Sequence, residues 1–378
     1  MKKTICVLIS ALIIIISVTA AGAAVDGESG KPDISASAYV LYCPQNGEII
    51  LSKNENERKK PASTTKLMTS LITLEQAAKG NKNVTFTEKM TAEGSSMYLE
   101  YGDTLKLSDL AAGMMMCSGN DAANAAAIAV SGSFERFSEL MNSRAQSVGM
   151  KNTHFVTPSG LDDDNHYSTA FDMALLMAEV LKNKPLAELV SQKSATVNFI
   201  KPGNKHMTYS NHNRLLKLYK DCIGGKTGYT TAAGRCLVSA TKRDNLTLIC
   251  VTLDDKNDWN DHIALYDYGF SKLACFRNPA FSAEVSVLGG EADSVKVSAD
   301  ENTGIVVEKN RLNDIKQRIL LDSFLFAPVK EGARLGAVEY SLDGRVLCKS
   351  DITAQSGTEY KNSSKGLIEK IKELFFNG

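Results

Sequence analysis

Three short strings of polar residues carry the chemistry that this sequence suggests. In chain order they are Ser63-Thr64-Thr65-Lys66, Ser118-Gly119-Asn120 and Lys226-Thr227-Gly228. A serine hydroxyl is a weak nucleophile until a neighbouring base removes its proton. Lys66 follows Ser63 by three residues, so the two side chains share a face if this segment is helical. The first string therefore predicts a nucleophile, Ser63, beside its base, Lys66.

A lysine acts as a base at neutral pH only when its pKa is held far below the ordinary value. Burial and a neighbouring positive charge both lower the pKa of an ammonium group. Lys226 is the candidate for that neighbouring charge. We expect the second string on the opposite wall of a cleft. There the Ser118 hydroxyl would pass a proton to the leaving amine, and Asn120 would hold an amide of the acyl side chain.

The third string is suited to a substrate that carries a carboxylate. Lys226 supplies a cation, Thr227 supplies a hydroxyl, and Gly228 lets the ligand lie close to the strand. A negatively charged intermediate also needs hydrogen-bond donors, and unpaired N–H groups at the start of a helix are suitable. We expect the backbone N–H groups of Ser63 and Tyr229 to be these donors.

Each string taken alone has an ordinary explanation. A Ser-x-x-Lys match is more often a solvated helix face, Ser-Gly-Asn is commonly a turn, and Lys-Thr-Gly is commonly the edge of a strand. The ordered set, with a helix after the first string and a strand around the third, is much harder to produce by chance. Acyl transfer through a serine ester is therefore the leading interpretation.

The elements that must position these strings indicate an α+β domain over residues 32–277. Two pairs of strand patterns, each with turn residues between its members, lie at residues 38–42 and 48–51 and at 236–241 and 246–252. Helical patterns lie at residues 63–79, 107–116, 121–130, 134–148, 170–181 and 259–270. We expect the strands from both ends of the domain to share one antiparallel sheet flanked by helices, with Lys226 on the strand before the second hairpin.

The sequence pattern changes after residue 277. Short alternating runs separated by turn signals predict a small all-β domain over residues 278–358. The last segment, 359–378, places apolar residues on one helical stripe, with Lys and Glu opposite: Leu367, Ile368, Ile371, Leu374 and Phe375. Such a helix is expected to lie on a bilayer surface, and it is too short to span one. The alternative is that it packs on the β domain or frays.

The first 24 residues have the pattern of an export signal, with Lys2 and Lys3, an apolar run from Ile5 to Ile16, and small residues up to Ala24. An uncleaved membrane anchor is the alternative, and either one places the remaining chain outside the cytoplasm. Basic and acidic residues number 43 each in the whole chain, so no overall field draws it to nucleic acid. The remaining chain has 41 basic and 43 acidic residues after loss of Lys2 and Lys3, and is nearly neutral.

Cysteines and histidines give no pattern of a metal site or a disulfide framework. Seven cysteines follow the leader at wide, irregular intervals, which indicates small core residues and leaves a Cys222–Cys236 pair open. The five histidines lack a ligand spacing such as His-x-x-x-His, and Asp162-Asp163-Asp164-Asn165 lacks the glycine and glutamate of a calcium loop. We predict neither a metal nor a cofactor.

The three strings in their wider context resemble the signatures of the D-alanyl-D-alanine carboxypeptidases, the low-molecular-mass penicillin-binding proteins. The matching stretches are Pro61 to Thr69, Ser118 to Ala122 and Gly225 to Thr230, with further likeness at Asn152 to Phe155, Gly160-Leu161, His166 to Ala170 and Asp267 to Phe270. The resemblance covers residues 35–273 strongly and matches the β domain and tail more loosely.

This resemblance implies a penicilloyl-serine-transferase fold and a definite reaction. Ser63 would attack the amide between the last two D-alanines of a peptidoglycan stem peptide, D-alanine would leave, and water would free the acyl-enzyme. β-Lactams mimic that dipeptide and would acylate the same serine. The implied location is the outer face of the cytoplasmic membrane, with the tail as the attachment.

The chain departs from some members of that family at two places. Tyr229 stands where some carry a histidine, and Asp258 to His262 occupies the place where some carry an arginine. Carboxylate binding would therefore depend on Lys226 and Thr227, with Arg235 as a helper.

Two alternative functions remain open at this stage. Class A β-lactamases also combine three such motifs around a serine nucleophile, but they need a glutamate on a loop to activate the deacylating water. Residues 155–167 contain three aspartates and no glutamate, and a lactamase has no use for a β domain. A catalytically silent wall-binding scaffold is the other alternative, and the intact Ser63, Lys66, Ser118, Asn120 and Lys226 argue against it.

Overall fold

The computed structural model of this chain describes residues 30–301 and 303–361. The predicted leader, residues 1–24, and the predicted tail beyond residue 361 lie outside the described residues. In chain order the strands are β1 Ala38–Cys43, β2 Glu48–Lys53, β3 Asn83–Thr85, β4 Thr104–Lys106, β5 Ser194–Asn198, β6 His206–Ser210, β7 Cys222–Thr230, β8 Gly234–Arg243, β9 Leu246–Leu253, β10 Leu273–Arg277, β11 Phe281–Leu288, β12 Ser294–Ala299, β13 Thr303–Glu308, β14 Lys316–Leu321, β15 Phe324–Phe326, β16 Arg334–Leu342 and β17 Arg345–Ala354. The helices are α1 Lys66–Lys79, α2 Leu107–Met116, α3 Asn120–Ser131, α4 Phe134–Val148, α5 Ala170–Lys182, α6 Lys184–Ser191, α7 Leu215–Leu218 and α8 Asp258–Lys272.

Strands from the two ends of the first domain form one antiparallel sheet. Its order is β2-β1-β9-β8-β7, so β1 from the start of the domain pairs with β9 near its end. The predicted shared sheet is confirmed, and β7, which carries the third polar string, is an edge strand.

Both faces of this sheet are covered, which explains the continuous apolar run of β1. Val40 faces a large core that includes Leu67 and Met115, from helices α1 and α2. Leu41, the next residue along the strand, faces a smaller core with Leu265 from α8. Alternate residues of a strand point to opposite faces, so a strand buried on both sides is apolar at every position.

The helical middle follows the sequence pattern in its longer helices. A 3-10 turn spans Ala62–Thr65, and α1 begins at Lys66 rather than at Ser63. The short helices α6 and α7 were not predicted. The second polar string lies between α2 and α3, and its last residue, Asn120, is the first residue of α3. The Thr169 hydroxyl accepts a hydrogen bond from the Asp172 N–H at 3.1 Å and caps α5.

A second sheet follows the first domain and has the order β14-β16-β17-β12-β11-β15. Its apolar core includes Val297, Val338 and Ile352. The all-β character of this region agrees with the sequence pattern, although β14 and β15 lack a clear alternation and were not predicted. β10 pairs with β13, so a strand on one side of the predicted boundary at residues 277 and 278 is bonded to a strand on the other.

The cysteines of the described part are all free, so the open question of a Cys222–Cys236 pair is answered: the two thiols are not joined. Cys43, Cys236 and Cys250 are buried core residues, as expected. Among residues 30–301 and 303–361, no helix has the length and apolar character needed to cross a membrane.

Candidate active site

The nucleophile candidate lies in the 3-10 turn that leads into α1. Ser63 belongs to this turn and Lys66 is the first residue of the helix, and the Lys66 Nζ atom lies 2.9 Å from the Ser63 Oγ atom. The three-residue spacing therefore brings the hydroxyl and the amine into contact although the helix starts later than predicted. This contact is the one that a serine needs in order to lose its proton to a lysine.

The Lys66 amine has two further partners, both uncharged. It donates to the Asn120 Oδ1 atom at 2.7 Å and to the Ser159 carbonyl at 2.6 Å. The side chain is fully buried, and burial together with the Lys226 charge holds the pKa of Lys66 well below its ordinary value. A neutral amine can use its two hydrogens on these two oxygens, which leaves its lone pair directed at Ser63.

Asn120 contacts the base as well as lying in the second string. Its Oδ1 atom accepts from Lys66, while its Nδ2 atom donates to the Glu93 carbonyl at 2.6 Å. The Glu93 carbonyl therefore fixes which end of the amide faces the lysine. The Nδ2 atom carries a second hydrogen, so the expected bond to an amide of the acyl side chain stays a prediction beside the contact with Lys66.

The second and third strings meet through Ser118 and Lys226. The Lys226 Nζ atom donates to the Ser118 Oγ atom at 3.0 Å and to the Thr227 carbonyl at 2.7 Å. Ser118 has a φ of 60°, a left-handed conformation uncommon for a residue with a side chain. Burial lowers the pKa of Lys226 to about 7. The two hydroxyls of the site thus each contact a lysine of lowered pKa.

The edge strand β7 lies directly against the turn that holds the nucleophile. A Cβ atom at position 228 would come within 3.0 Å of the backbone nitrogens of Ser63 and Thr64. Gly228 also lines the cleft, so its missing side chain leaves room for this turn, and its expected role in admitting a ligand stays a prediction. Ser63 and Tyr229 line the same cleft, and a two-donor oxyanion site would require their N–H groups to converge there.

Residues outside the three strings also pack against the 3-10 turn that contains Ser63. A Cβ atom at Gly160 would lie 2.0 Å from the Ala62 carbonyl oxygen, so only glycine fits there. The His166 ring contacts the Thr65 hydroxyl at 2.9 Å through Nε2, and its Nδ1 atom accepts from the Val156 N–H at 3.0 Å. Because Nδ1 accepts a hydrogen bond, it carries no proton and the ring is neutral. Burial favours this state, since it lowers the pKa of His166 to about 4.

These groups open onto a cleft of about 500 Å³. Its lining includes Ser63, Ser118, Thr227, Gly228 and Tyr229 from the three strings, together with Ser95, His212, Arg235, Asp258 and Trp259. Three of these lining residues were not predicted for the site, because each enters the cleft only through the fold: Ser95, His212 and Trp259.

Arg235 lies at this cleft and is paired with an acid. Its guanidinium contacts the Asp258 carboxylate at 2.5 Å and lies 5.9 Å from the centre of the Trp259 ring. Tyr229 and Arg235 are direct partners across β7 and β8, so the guanidinium follows from the same strand pairing that positions the third string. An anionic ligand in the cleft would therefore contact a guanidinium whose positive charge is partly neutralised by the Asp258 carboxylate.

The loop between α4 and α5 reaches the cleft without a glutamate. Its Asp162 carboxylate accepts from the Thr230 hydroxyl at 2.9 Å, at the end of β7. The Ser159 carbonyl of the same loop is a partner of Lys66. The loop therefore contributes a backbone oxygen to the base and a carboxylate that is tied to the strand.

Comparison with known proteins gives two family matches. A sequence model described as D-alanyl-D-alanine carboxypeptidase matches residues 26–257. A second one, described as the C-terminal domain of penicillin-binding protein 5, matches residues 276–360. The two matches correspond to the sheet-and-helix domain and to the all-β domain.

Individual relatives agree over nearly the whole chain. The D-alanyl-D-alanine carboxypeptidase DacF of Bacillus subtilis is 31% identical over 94% of this chain and 94% of its own. The D-alanyl-D-alanine carboxypeptidase DacA of Haemophilus influenzae is 35% identical over 85% of this chain and 84% of its own. A crystal structure of penicillin-binding protein 5 from Haemophilus influenzae has a TM-score of 0.63 and 32% identity, covering 87% of this chain and 98% of that one.

Proposed function

The chain belongs to the D-alanyl-D-alanine carboxypeptidase family of serine peptidases, and from this premise we propose that it removes the terminal D-alanine of peptidoglycan stem pentapeptides through an ester on Ser63. The reaction class and substrate class agree with the names of its relatives and with their coverage of the whole chain. The assignment of roles to individual residues is argued from the contacts of the cleft.

The acylation step begins with Lys66 as a neutral amine. It takes the proton of Ser63 over a contact of 2.9 Å while the Oγ atom attacks the carbonyl carbon of the penultimate D-alanine. The N–H groups of Ser63 and Tyr229 stabilise the negative charge that develops on the carbonyl oxygen. The C–N bond then breaks, and the Ser118 hydroxyl relays the proton that Lys66 took from Ser63 to the departing nitrogen, so free D-alanine leaves and Lys66 is neutral again.

Hydrolysis of the ester regenerates the serine. Water loses a proton to the Lys66 amine and attacks the acyl carbon, and the ester bond to Ser63 breaks as the oxygen recovers a proton. The product is the shortened stem peptide with a new carboxylate. A β-lactam is attacked in the same way at its strained amide, and it stays attached as an ester because its leaving nitrogen remains tethered.

The carboxylate of the terminal D-alanine needs a cation and a hydroxyl at the far end of the cleft. Lys226 and Thr227 supply these groups, and Gly228 keeps the strand close to the nucleophile. Arg235 adds a second cation, since it lines the same cleft. We assign it a supporting role because its guanidinium is already paired with Asp258.

The single observation that carries this proposal is the bond between the Lys66 amine and the Ser63 hydroxyl within a family of serine peptidases. The test is release of D-alanine from a stem pentapeptide by the parent chain, by Ser63→Ala and by Ser282→Ala. Ser282 is an exposed serine of the β domain and serves as the matched control. Release by the parent and by Ser282→Ala, but not by Ser63→Ala, is expected; equal release by all three would remove Ser63 from the mechanism.

We propose that the enzyme acts outside the cytoplasm, where a peptidoglycan substrate lies, and that residues 359–378 attach it to the outer face of the cytoplasmic membrane. The support is the apolar stripe from Leu367 to Phe375, with Lys and Glu on the other face. Partition of the chain into lipid vesicles, with and without residues 362–378, tests this attachment independently of catalysis.

A further inference from the structure

Three large apolar side chains are exposed together at one edge of the β domain. Leu288 is 49% exposed, Phe324 is 45% exposed and Phe326 is 70% exposed. The two rings contact each other edge to face, with their centres 5.4 Å apart. We call these three residues the aromatic patch. Single exposed apolar residues are ordinary, but a contiguous group that includes two phenylalanines indicates an interaction surface.

The strand pairing explains why these side chains share a face. β15 is the edge strand of the second sheet and pairs in parallel with β11, so that Leu288 lies opposite Phe326. Phe324 and Phe326 are two residues apart and therefore point to the same side. Leu325, between them, points to the other side and packs against the core of the domain. The sheet thus buries one residue of β15 and exposes the two rings.

The patch lies where the predicted tail leaves the domain. The Lys361 N–H donates to the Gly289 carbonyl at 2.9 Å, and Gly289 directly follows Leu288. Tyr360, the preceding residue, is 64% exposed and bridges to Gly290. The last described residue is therefore fixed beside the patch, and the segment with the apolar stripe begins only a few residues later.

We propose that the aromatic patch inserts into the surface of a lipid bilayer next to the tail, and so forms a second membrane contact made by the folded β domain. This inference rests on the membrane attachment proposed above. A helix over residues 365–376, as the sequence predicts, would be about 18 Å long. The patch extends over only three residues of β15, roughly 10 Å, and is too small to cover the stripe of such a helix. A bilayer is large enough to receive both.

The charges around the patch indicate how the contact is made. Glu291, Glu331 and Glu359 line a neighbouring depression, together with Lys330. This surface has no excess of positive charge that would attract anionic lipid. The contact therefore depends on apolar burial, and aromatic rings are well suited to the boundary between headgroups and acyl chains. We expect the contribution of the patch to be insensitive to salt and to the fraction of anionic lipid.

The test measures partition of the chain from residue 25 onward into vesicles of phosphatidylcholine alone and of phosphatidylcholine with phosphatidylglycerol. Phe324→Ser/Phe326→Ser is compared with the parent and with Ile319→Ser/Val346→Ser. The control residues are 48% and 51% exposed and lie on other strands of the sheet, β14 and β17. The patch variant should lower the partition coefficient roughly tenfold in both lipid mixtures, and the control variant should leave it unchanged.

Each other outcome has a definite meaning. Equal partition of the patch variant and the parent overturns the inference and leaves the proposed attachment by the tail intact. Tighter binding of the patch variant also overturns it, because the patch would then hold the tail away from lipid. Failure of the parent to bind vesicles removes both the inference and the proposed attachment, while release of D-alanine by the same preparation tests the catalytic proposal separately.

A fluorescence measurement on single variants tests insertion of the patch without depending on the folding of the double variant. Trp259 is the single tryptophan of the chain, so Phe326→Trp and Ile319→Trp each add one new fluorophore. Phosphatidylcholine brominated on its acyl chains should quench the new emission of Phe326→Trp and leave that of Ile319→Trp unchanged. Equal quenching of both, or of neither, contradicts insertion of the patch.

Discussion

At the scale of single residues, the site depends on two buried lysines whose pKa values are lower than that of an ordinary lysine. Lys66 is buried among uncharged acceptors, and its pKa is lowered by burial first and by the Lys226 charge second. In the proposed mechanism a neutral Lys66 removes the Ser63 proton, whereas a charged Lys226 binds the carboxylate of the substrate. The two lysines therefore need opposite protonation states at the same pH.

This requirement predicts a bell-shaped dependence of kcat/KM on pH. The acid limb rises as Lys66 loses its proton. The alkaline limb falls as Lys226 loses its own, with a midpoint near its pKa of about 7 in the free enzyme. Lys226→Arg keeps its charge at every pH tested and should abolish the alkaline limb at the cost of a lower maximum. Lys242→Arg, at an exposed position of β8, is the control and should keep the parent profile.

Asn120 offers a test of the base itself. Asn120→Asp puts a carboxylate where the Oδ1 atom now lies 2.7 Å from the Lys66 amine. A negative charge at that distance favours the protonated lysine, so the acid limb of kcat/KM should move upward by about 1 to 3 pH units. Asn124→Asp, at a half-buried position one turn further along the same helix, is the matched control. An unshifted acid limb in Asn120→Asp would show that Lys66 is not the group titrating there.

At the scale of elements, the spacing between β7 and the nucleophile turn decides whether the oxyanion donors converge. Gly228→Ala puts a methyl group 3.0 Å from the backbone nitrogens of Ser63 and Thr64, so turn and strand must separate by a few tenths of an ångström. We expect the acylation rate with a fluorescent penicillin to fall at least tenfold, on the order expected for small misplacements of reacting groups.

The thermal midpoint should change little in this variant. Gly203→Ala, in the hairpin of β5 and β6, is the control, because its added methyl group would lie 3.7 Å from the Ile200 carbonyl oxygen, in ordinary contact. An acylation rate for Gly228→Ala equal to that of the parent would show that the close approach has no catalytic importance.

Much of the fold was predictable because its elements are encoded locally. The apolar spacing of α1, α2, α4 and α5, the cap at Thr169 and the paired strand runs all lie within a few residues of one another in sequence. The helix start was wrong by three residues, because a 3-10 turn and the first turn of an α-helix share the same short-range pattern. The strands β5 and β6 were not predicted, although polar and apolar residues alternate along both and Val197 and Tyr209 pack on the large core; each run is only five residues long and gives a short signal.

The parts of the site that are made of side chains were predictable from the sequence, and the parts that are made of backbone carbonyls were not. Ser63, Lys66, Ser118 and Lys226 could be named from motifs, and the structure brings them together in two bonded pairs. The carbonyls of Ser159 and Glu93 complete the surroundings of the base and Asn120. Every residue has a carbonyl, so no sequence pattern distinguishes these two, and the contacts of Asn120 with Lys66 and Glu93 were not predicted for that reason.

At the scale of the whole molecule, buried neutral histidines tie folding stability to pH. Burial lowers the pKa of His166 to about 4 and that of His262 to about 3. An unfolded histidine has a pKa near 6.5, so the unfolded state binds protons before the folded state does. The histidine contribution to stability is therefore constant above about pH 6.5 and is lost as the pH falls towards the folded pKa values. The loss for His166 alone is roughly 3 kcal/mol by pH 4.

This predicts a difference between two histidine variants in thermal unfolding. His166→Gln should lower the midpoint at pH 7, because the ring contacts Thr65 and Val156 are lost, and it should flatten the decline between pH 6.5 and pH 4. His154→Gln changes a half-buried ring whose Nδ1 atom contacts the Asn165 carbonyl, and should keep the parent slope. An unchanged slope in His166→Gln would contradict the neutral, buried ring.

The most direct test of the whole account is the position of the covalent bond. After brief exposure to a penicillin, the digested parent chain should carry the added mass on the peptide spanning residues 60–66, at Ser63. Ser63→Ala should carry no added mass. A penicilloyl group on Ser118 or any other residue, or one retained in Ser63→Ala, would contradict the claim that Ser63 is the nucleophile of this enzyme.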